Sequence, residues 1–272
     1  MLLSLSIACA KSSEPAPDTG TTTTPITATT RTPNPPPVPD VIEHFKFWSV
    51  DHGTIAPPRA IDLRLPGGPS WPETVAEIPY LANPVQKNGK EIRDARKSLH
   101  YDAYQLHEAP AHADAHFYNQ LTDNATWPLS RAAPLLLVPA IKSHSESGVA
   151  DHLPSTPAYR HHYVCYVHAV PPEEREWIPV QDTKPRQVSL LDQFDTSAEQ
   201  ISRLQPAYFC FPVEKRYRTN PSEAPSHEVG LALYRIDPQR TYNQPVWTRD
   251  QFDKRELRIG QSVMLGVPSV WK

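Results

Sequence analysis

The chain is short of glycine, methionine and cysteine: 272 residues contain 9, 2 and 3 of them. So few glycines exclude a collagen-like repeat, which needs one at every third position. They also leave no glycine-rich loop to cradle a phosphate. Charge of one sign is lacking too, with 27 Lys and Arg against 30 Asp and Glu, so there is no electrostatic footprint for nucleic acid or an anionic membrane. No apolar run approaches the roughly eighteen residues of a spanning helix. The Gly-x-Ser-x-Gly elbow and the Cys-x-x-Cys pair are missing as well. What the chain has in excess is proline, 32 residues, which argues against long helices.

The proline is unevenly placed. Between Ser12 and Asp40, 17 of 29 residues are Thr or Pro. Such a segment has almost nothing apolar to bury and cannot offset its ordering entropy. Residues 10–40 therefore read as a disordered tether. Its Pro35-Pro36-Pro37 stretch favours extended polyproline, with a reach on the order of 80–90 Å at about 3.1 Å per residue. Before it, Met1 to Ala8 (MLLSLSIA) ends in small residues ahead of Cys9. That arrangement resembles the lipobox of bacterial lipoproteins. The resemblance implies cleavage before Cys9, acylation of Cys9 and export to the cell envelope. A plain secretory signal is the other reading.

From residue 41 on, one pattern recurs four times. Each set opens on a short strand centred on an aromatic, Trp48, Tyr104, Tyr166 or Tyr234. Each closes on Pro84, Pro139, Pro212 or Pro268 with a lysine (Lys87, Lys142, Lys215, Lys272) three or four residues later. The aromatic-to-proline intervals are 36, 35, 46 and 34 residues, the third being lengthened by the polar insertion Pro171 to Lys184. Between the ends lies a second strand, clearest as VSLLDQF (188–194) and VWTRDQF (246–252), with echoes in HFYNQL (116–121) and AIDLRL (60–65). Runs of five to seven residues, rich in valine, isoleucine and aromatics, predict strands. Lys90–Lys97 and Ser197–Leu204 are the two helix candidates.

The sets predict an all-β body of four homologous units of about three short strands each. The units are expected to pair into two small sandwich- or barrel-like domains, residues 41–145 and 158–272, joined by a hinge at Ser143 to Pro157. With Cys9 assigned to lipid, Cys165 and Cys210 remain, both in the third set. Their counterparts are Phe47 and Ala82, Ala103 and Leu137, and Leu233 and Gly266, all apolar, which suggests one buried cross-strand site. A disulfide suits an exported chain; two buried free thiols are the alternative.

The YVCYV, VSLLDQF and YFCFPVEK segments are similar to a repeat of exported proteins from environmental bacteria that is classed as a domain of unknown function. The likeness is strongest over residues 160–272. It implies a secreted all-β module with a cysteine pair at Cys165 and Cys210, and brings neither activity nor catalytic residues.

Two constellations bear on chemistry. In HEAPAHADAH, His107 and His112 are five apart and Pro110 forbids the helix that a zinc-protease motif needs. A loop site of His112, Asp114 and His116 is the remaining metal candidate. Trp71 and Trp177 lie in proline-flanked loops, where exposed aromatics are suited to stacking on sugar rings. The repeated histidines (His44, His100, His162, His227) and the Asp-Gln-Phe triplets read instead as scaffold, the aspartates satisfying turn backbone. The expected function is a non-enzymatic, lipid-anchored surface structural or interaction module with no cofactor. A carbohydrate-binding module is the alternative, and a metal-dependent hydrolase around His112 and His116 is third.

Overall fold

A computed structural model describes residues 42–92, 99–155, 161–180, 188–217, 220–221 and 229–271. Strands make up 69% of the described residues and helix 3%, so the fold is all-β. In chain order the strands are β1 (Phe45–Arg64), β2 (Ser70–Pro84), β3 (Gln86–Lys87), β4 (His100–Gln105), β5 (Ala115–Asn119), β6 (Thr122–Trp127), β7 (Leu129–Ser143) and β8 (His162–His168). They continue with β9 (Ile178–Pro179), β10 (Val188–Leu191), β11 (Glu199–Ile201), β12 (Arg203–Tyr217), β13 (Asn220–Pro221), β14 (Val229–Asp237), β15 (Thr241–Arg249) and β16 (Lys254–Trp271).

Eight of these form the frame. They are hydrogen-bonded in the order β1-β2-β4-β7-β8-β12-β14-β16, all neighbours antiparallel, and β16 pairs back with β1. The sheet thus closes on itself as a barrel, which removes the frame's free edges. The four pairs picked out in the sequence stand directly opposite one another: Phe47 with Ala82, Ala103 with Leu137, Cys165 with Cys210, and Leu233 with Gly266. The junctions between sets keep one register as well, with Tyr80 opposite Ala103, Leu135 opposite Cys165, Tyr208 opposite Leu233, and Met264 opposite Phe47.

Alternation along the strands sorts their side chains onto two faces. Phe45, Tyr101, Cys165, Cys210 and Leu233 belong to a cluster made almost wholly of frame residues. The rings of Phe45 and Tyr101 are 5.1 Å apart, and those of Tyr101 and Tyr163 are 6.0 Å apart, although two strand spacings separate each pair. Side chains two strands apart meet this closely only where they converge, so this face lines the barrel interior. The opposite face carries Trp48, Tyr104, Tyr166 and Tyr234, and it is buried too. Its cover comes from the arms, the parts of each set between its barrel strands.

Each arm runs over the next set and joins the strand end of the set after that. Leu63 of β1 stands opposite Lys215, Phe117 of β5 opposite Trp271, Leu190 of β10 opposite Lys87, and Thr248 of β15 opposite Lys142. Every partner lies three residues beyond its closing proline.

Three expectations are corrected by this geometry. β7 pairs with β8 across the expected hinge, so one continuous sheet replaces the two small domains, and the described residues all fall in one compact unit. Ser197–Leu204 is not helical: Glu199 and Ile201 are buried and Gln200 is exposed, the period-two pattern of β11. The echo in the first set is displaced by two residues, because register makes Leu63 the counterpart of Leu190, and Leu65-Pro66-Gly67 the counterpart of Asp192-Gln193-Phe194. The other helix candidate, Lys90–Lys97, falls mainly outside the described residues.

Candidate functional site

The recurring polar residues meet each other at the arm tips. Asp192 accepts hydrogen bonds from the Trp48 indole at 2.7 Å, the Asn83 amide at 3.1 Å and the Phe194 backbone N–H at 2.9 Å. Asp250 takes the same place for Tyr104, at 2.5 Å, and for the Phe252 N–H, at 2.7 Å. Asn119 donates to Tyr234 at 3.2 Å and caps the Leu121 N–H at 2.8 Å. Each tip thus satisfies its own turn and clasps the aromatic two sets away.

The neighbouring glutamines reach the histidines. Gln251 pairs with His162 at 2.9 Å, Gln193 with His100 at 3.4 Å, and Gln120 with His44. His227 lies outside the described residues. The closing lysines lie against the same triplets: Lys142 Nζ is 3.7 Å from the Phe194 ring centre, Lys215 Nζ 4.9 Å from Phe252, and Lys87 donates to Gln120 at 2.8 Å. Burial pushes Lys142 and Lys215 down to about 7, against the pull of Asp192 and Asp250 respectively.

Two buried ion-pair groups also lie beneath the arms. Arg255 bridges Asp102 at 3.0 Å and Asp250 at 3.1 Å. Burial, reinforced by the charge of Asp250 and opposed by Arg255, raises Asp102 to about 7. Lys46, fully buried on β1, meets Asp195 at 2.9 Å and Glu199 at 2.6 Å.

The first set departs from this arrangement. Its triplet is Leu65-Pro66-Gly67, which has neither carboxylate nor amide, and Gly67 takes a left-handed φ of 71°. Tyr166, which an Asp at position 65 would serve by analogy, keeps a buried hydroxyl with no hydrogen-bond partner among the described residues. On the β2 side of the same arm, two adjoining open hollows of about 380 and 580 Å³ share His107, Glu108 and Arg131. Trp71, Pro72 and Glu73 form the other wall of the smaller one. Arg131 bonds Glu108 at 2.9 Å and the Ala109 carbonyl at 3.0 Å. Glu73 accepts the Thr74 N–H at 3.0 Å and the Glu108 N–H at 3.4 Å.

The sequence candidates are therefore dispersed. Cys165 and Cys210 form a disulfide in the barrel interior. Cys9 lies outside the described residues. His112 stacks on Phe211 with ring centres 4.0 Å apart, His116 bonds the Thr126 hydroxyl at 2.9 Å, and Asp114 is exposed. Among the described residues no group of three His, Cys, Asp or Glu side chains is placed to hold a metal ion. Trp177 lies beneath the guanidinium of Arg203, 4.6 Å from its ring centre, on a different arm from Trp71. Glu108 stands in the HEAPAHADAH segment, whereas Arg131, 23 positions on, belongs to no motif and escaped the sequence reading. In comparisons with known proteins, no family model, no curated protein and no solved structure matches the chain.

Proposed function

We propose that this protein is an exported, lipid-anchored, non-enzymatic module of the bacterial cell envelope, its rigid body held off a membrane by the Thr/Pro-rich tether. The four segment sets are read as copies of one unit. The observation that carries this reading is the fate of the recurring polar residues: the aspartates, glutamines and histidines of the triplet clasps bond to scaffold partners, and the lysines lie against the same triplets. A reaction centre needs an asymmetric set of groups poised toward a cleft. Here the repeated groups are used to lock arms over a barrel. The disulfide supports an oxidising compartment.

Palmitate labelling with membrane fractionation tests the anchor. Wild type is expected to incorporate label and sediment with membranes, and Cys9→Ser to lose both. A Cys9→Ser variant that still labels would sink the lipid anchor.

A second reading, carbohydrate binding, is favoured by one particular: Trp71 lines a hollow with hydrogen-bonding walls. Trp177 has a guanidinium across its ring and is the weaker candidate.

A further inference from the structure

We infer that the hollow beside the first arm is a ligand site, and that it binds a neutral saccharide between Trp71 and the Glu108–Arg131 pair. This rests on the carbohydrate-binding reading and names its place and ligand chemistry.

Three of the four tips are closed. Asp192, Asp250 and Asn119 each engage an aromatic, and the residues beside them engage a histidine and a lysine of the preceding set. At the equivalent position of the first set, Leu65-Pro66-Gly67 supplies none of those groups. The same arm lines, through Trp71 to Glu73, one of two adjoining hollows whose volumes fall in the roughly 300–1,000 Å³ range of small-molecule sites.

The chemistry of the walls selects the ligand. Arg131 and Glu108 are each about half exposed, at 54%, and neutralise one another. Both Glu73 oxygens are engaged by backbone N–H groups. Those neutral donors leave the Glu73 charge in place, so the hollow offers donors and acceptors with a small excess of negative charge. An anionic ligand would meet two carboxylates against one guanidinium that is already paired. A pyranose presents vicinal hydroxyls that bridge a guanidinium–carboxylate pair, and an apolar C–H face that lies on an indole, a side chain with a large apolar surface and a polar edge. Partly buried Trp71 lines the smaller hollow and supplies that apolar surface.

The test uses the folded, exported protein with four neutral hexaoses (cello-, xylo-, manno- and chitohexaose) and an anionic oligogalacturonate, titrated by calorimetry. At least one neutral hexaose is expected to bind, with Trp71→Ala and Arg131→Gln each weakening it tenfold or more, and Trp177→Ala changing it less than twofold. Melting curves of each variant separate lost binding from lost fold, and Arg131→Gln serves if Trp71→Ala unfolds. Hexaose binding that survives both site variants would overturn this site and leave the carbohydrate reading standing. Preference for oligogalacturonate would overturn the neutral ligand class. No binding of any probe would overturn the carbohydrate reading and the inference together.

Discussion

Trp48 donates its indole N–H to Asp192 across 2.7 Å, joining residues 144 positions apart through a buried hydrogen bond. Asp192 also receives the Asn83 amide and the Phe194 N–H, so one carboxylate secures an arm tip to the barrel and shapes its own turn. Removing it leaves buried donors unpaired, at a cost of about 1–3 kcal/mol each. Asp192→Ala should therefore destabilise the protein by about 3 kcal/mol or more, and Asp192→Asn by less. Urea unfolding monitored by tryptophan fluorescence reads both. An Asp192→Ala midpoint equal to wild type would remove the clasp from the account.

The Cys165–Cys210 bridge joins adjacent barrel strands at 45 residues of separation. Constraining a loop of this length in the unfolded chain is worth at most roughly 4 kcal/mol. The Cys165→Ala/Cys210→Ala double variant should lose about 2–4 kcal/mol. Under denaturing, non-reducing conditions neither cysteine of the wild type should label with maleimide; labelling of both would show the pair to be reduced.

Two kinds of buried group give opposite pH dependences. Lys142 and Lys215 titrate near 7 in the fold because burial disfavours the cation, and near their ordinary 10.5 when unfolded. Between those values the unfolded chain binds more protons, so these lysines make stability rise with pH from about 7 to about 10. Asp102 titrates near 7 in the fold against 3.8 unfolded, so the fold holds the extra proton and stability falls as pH rises between those values. Lys142→Met should flatten the upper window relative to wild type, and Asp102→Asn the lower one. Urea midpoints measured from pH 4 to pH 10 report both differences; parallel wild-type and variant curves would contradict the assignment.

The strand content and the cross-strand partners were legible in the sequence because both rest on local order. Aromatic, cysteine and proline positions recur at nearly constant intervals, and the register preserves them as Cys165 opposite Cys210 and Ala103 opposite Leu137. The arms were not legible. Leu190 meets Lys87 and Thr248 meets Lys142, contacts between different sets that no spacing within one set encodes. Ser197–Leu204 looked helical because a short polar run has no decisive period, and burial of Glu199 against Lys46 settled it as strand. The hollow was half legible: Trp71 stood out by its proline flank, whereas Glu108 and Arg131 gained meaning only when the first arm crossed the second set.

The central claim is that three tips are clasped and one is not, and removing single hydroxyls tests it most directly. Tyr104 and Tyr234 donate to or accept from Asp250 and Asn119, whereas the Tyr166 hydroxyl is buried without a partner among the described residues. Tyr104→Phe and Tyr234→Phe should each destabilise by about 1–3 kcal/mol in equilibrium unfolding, and Tyr166→Phe should be neutral or stabilising, because it removes only an unsatisfied group. Equal losses for all three variants would contradict the account.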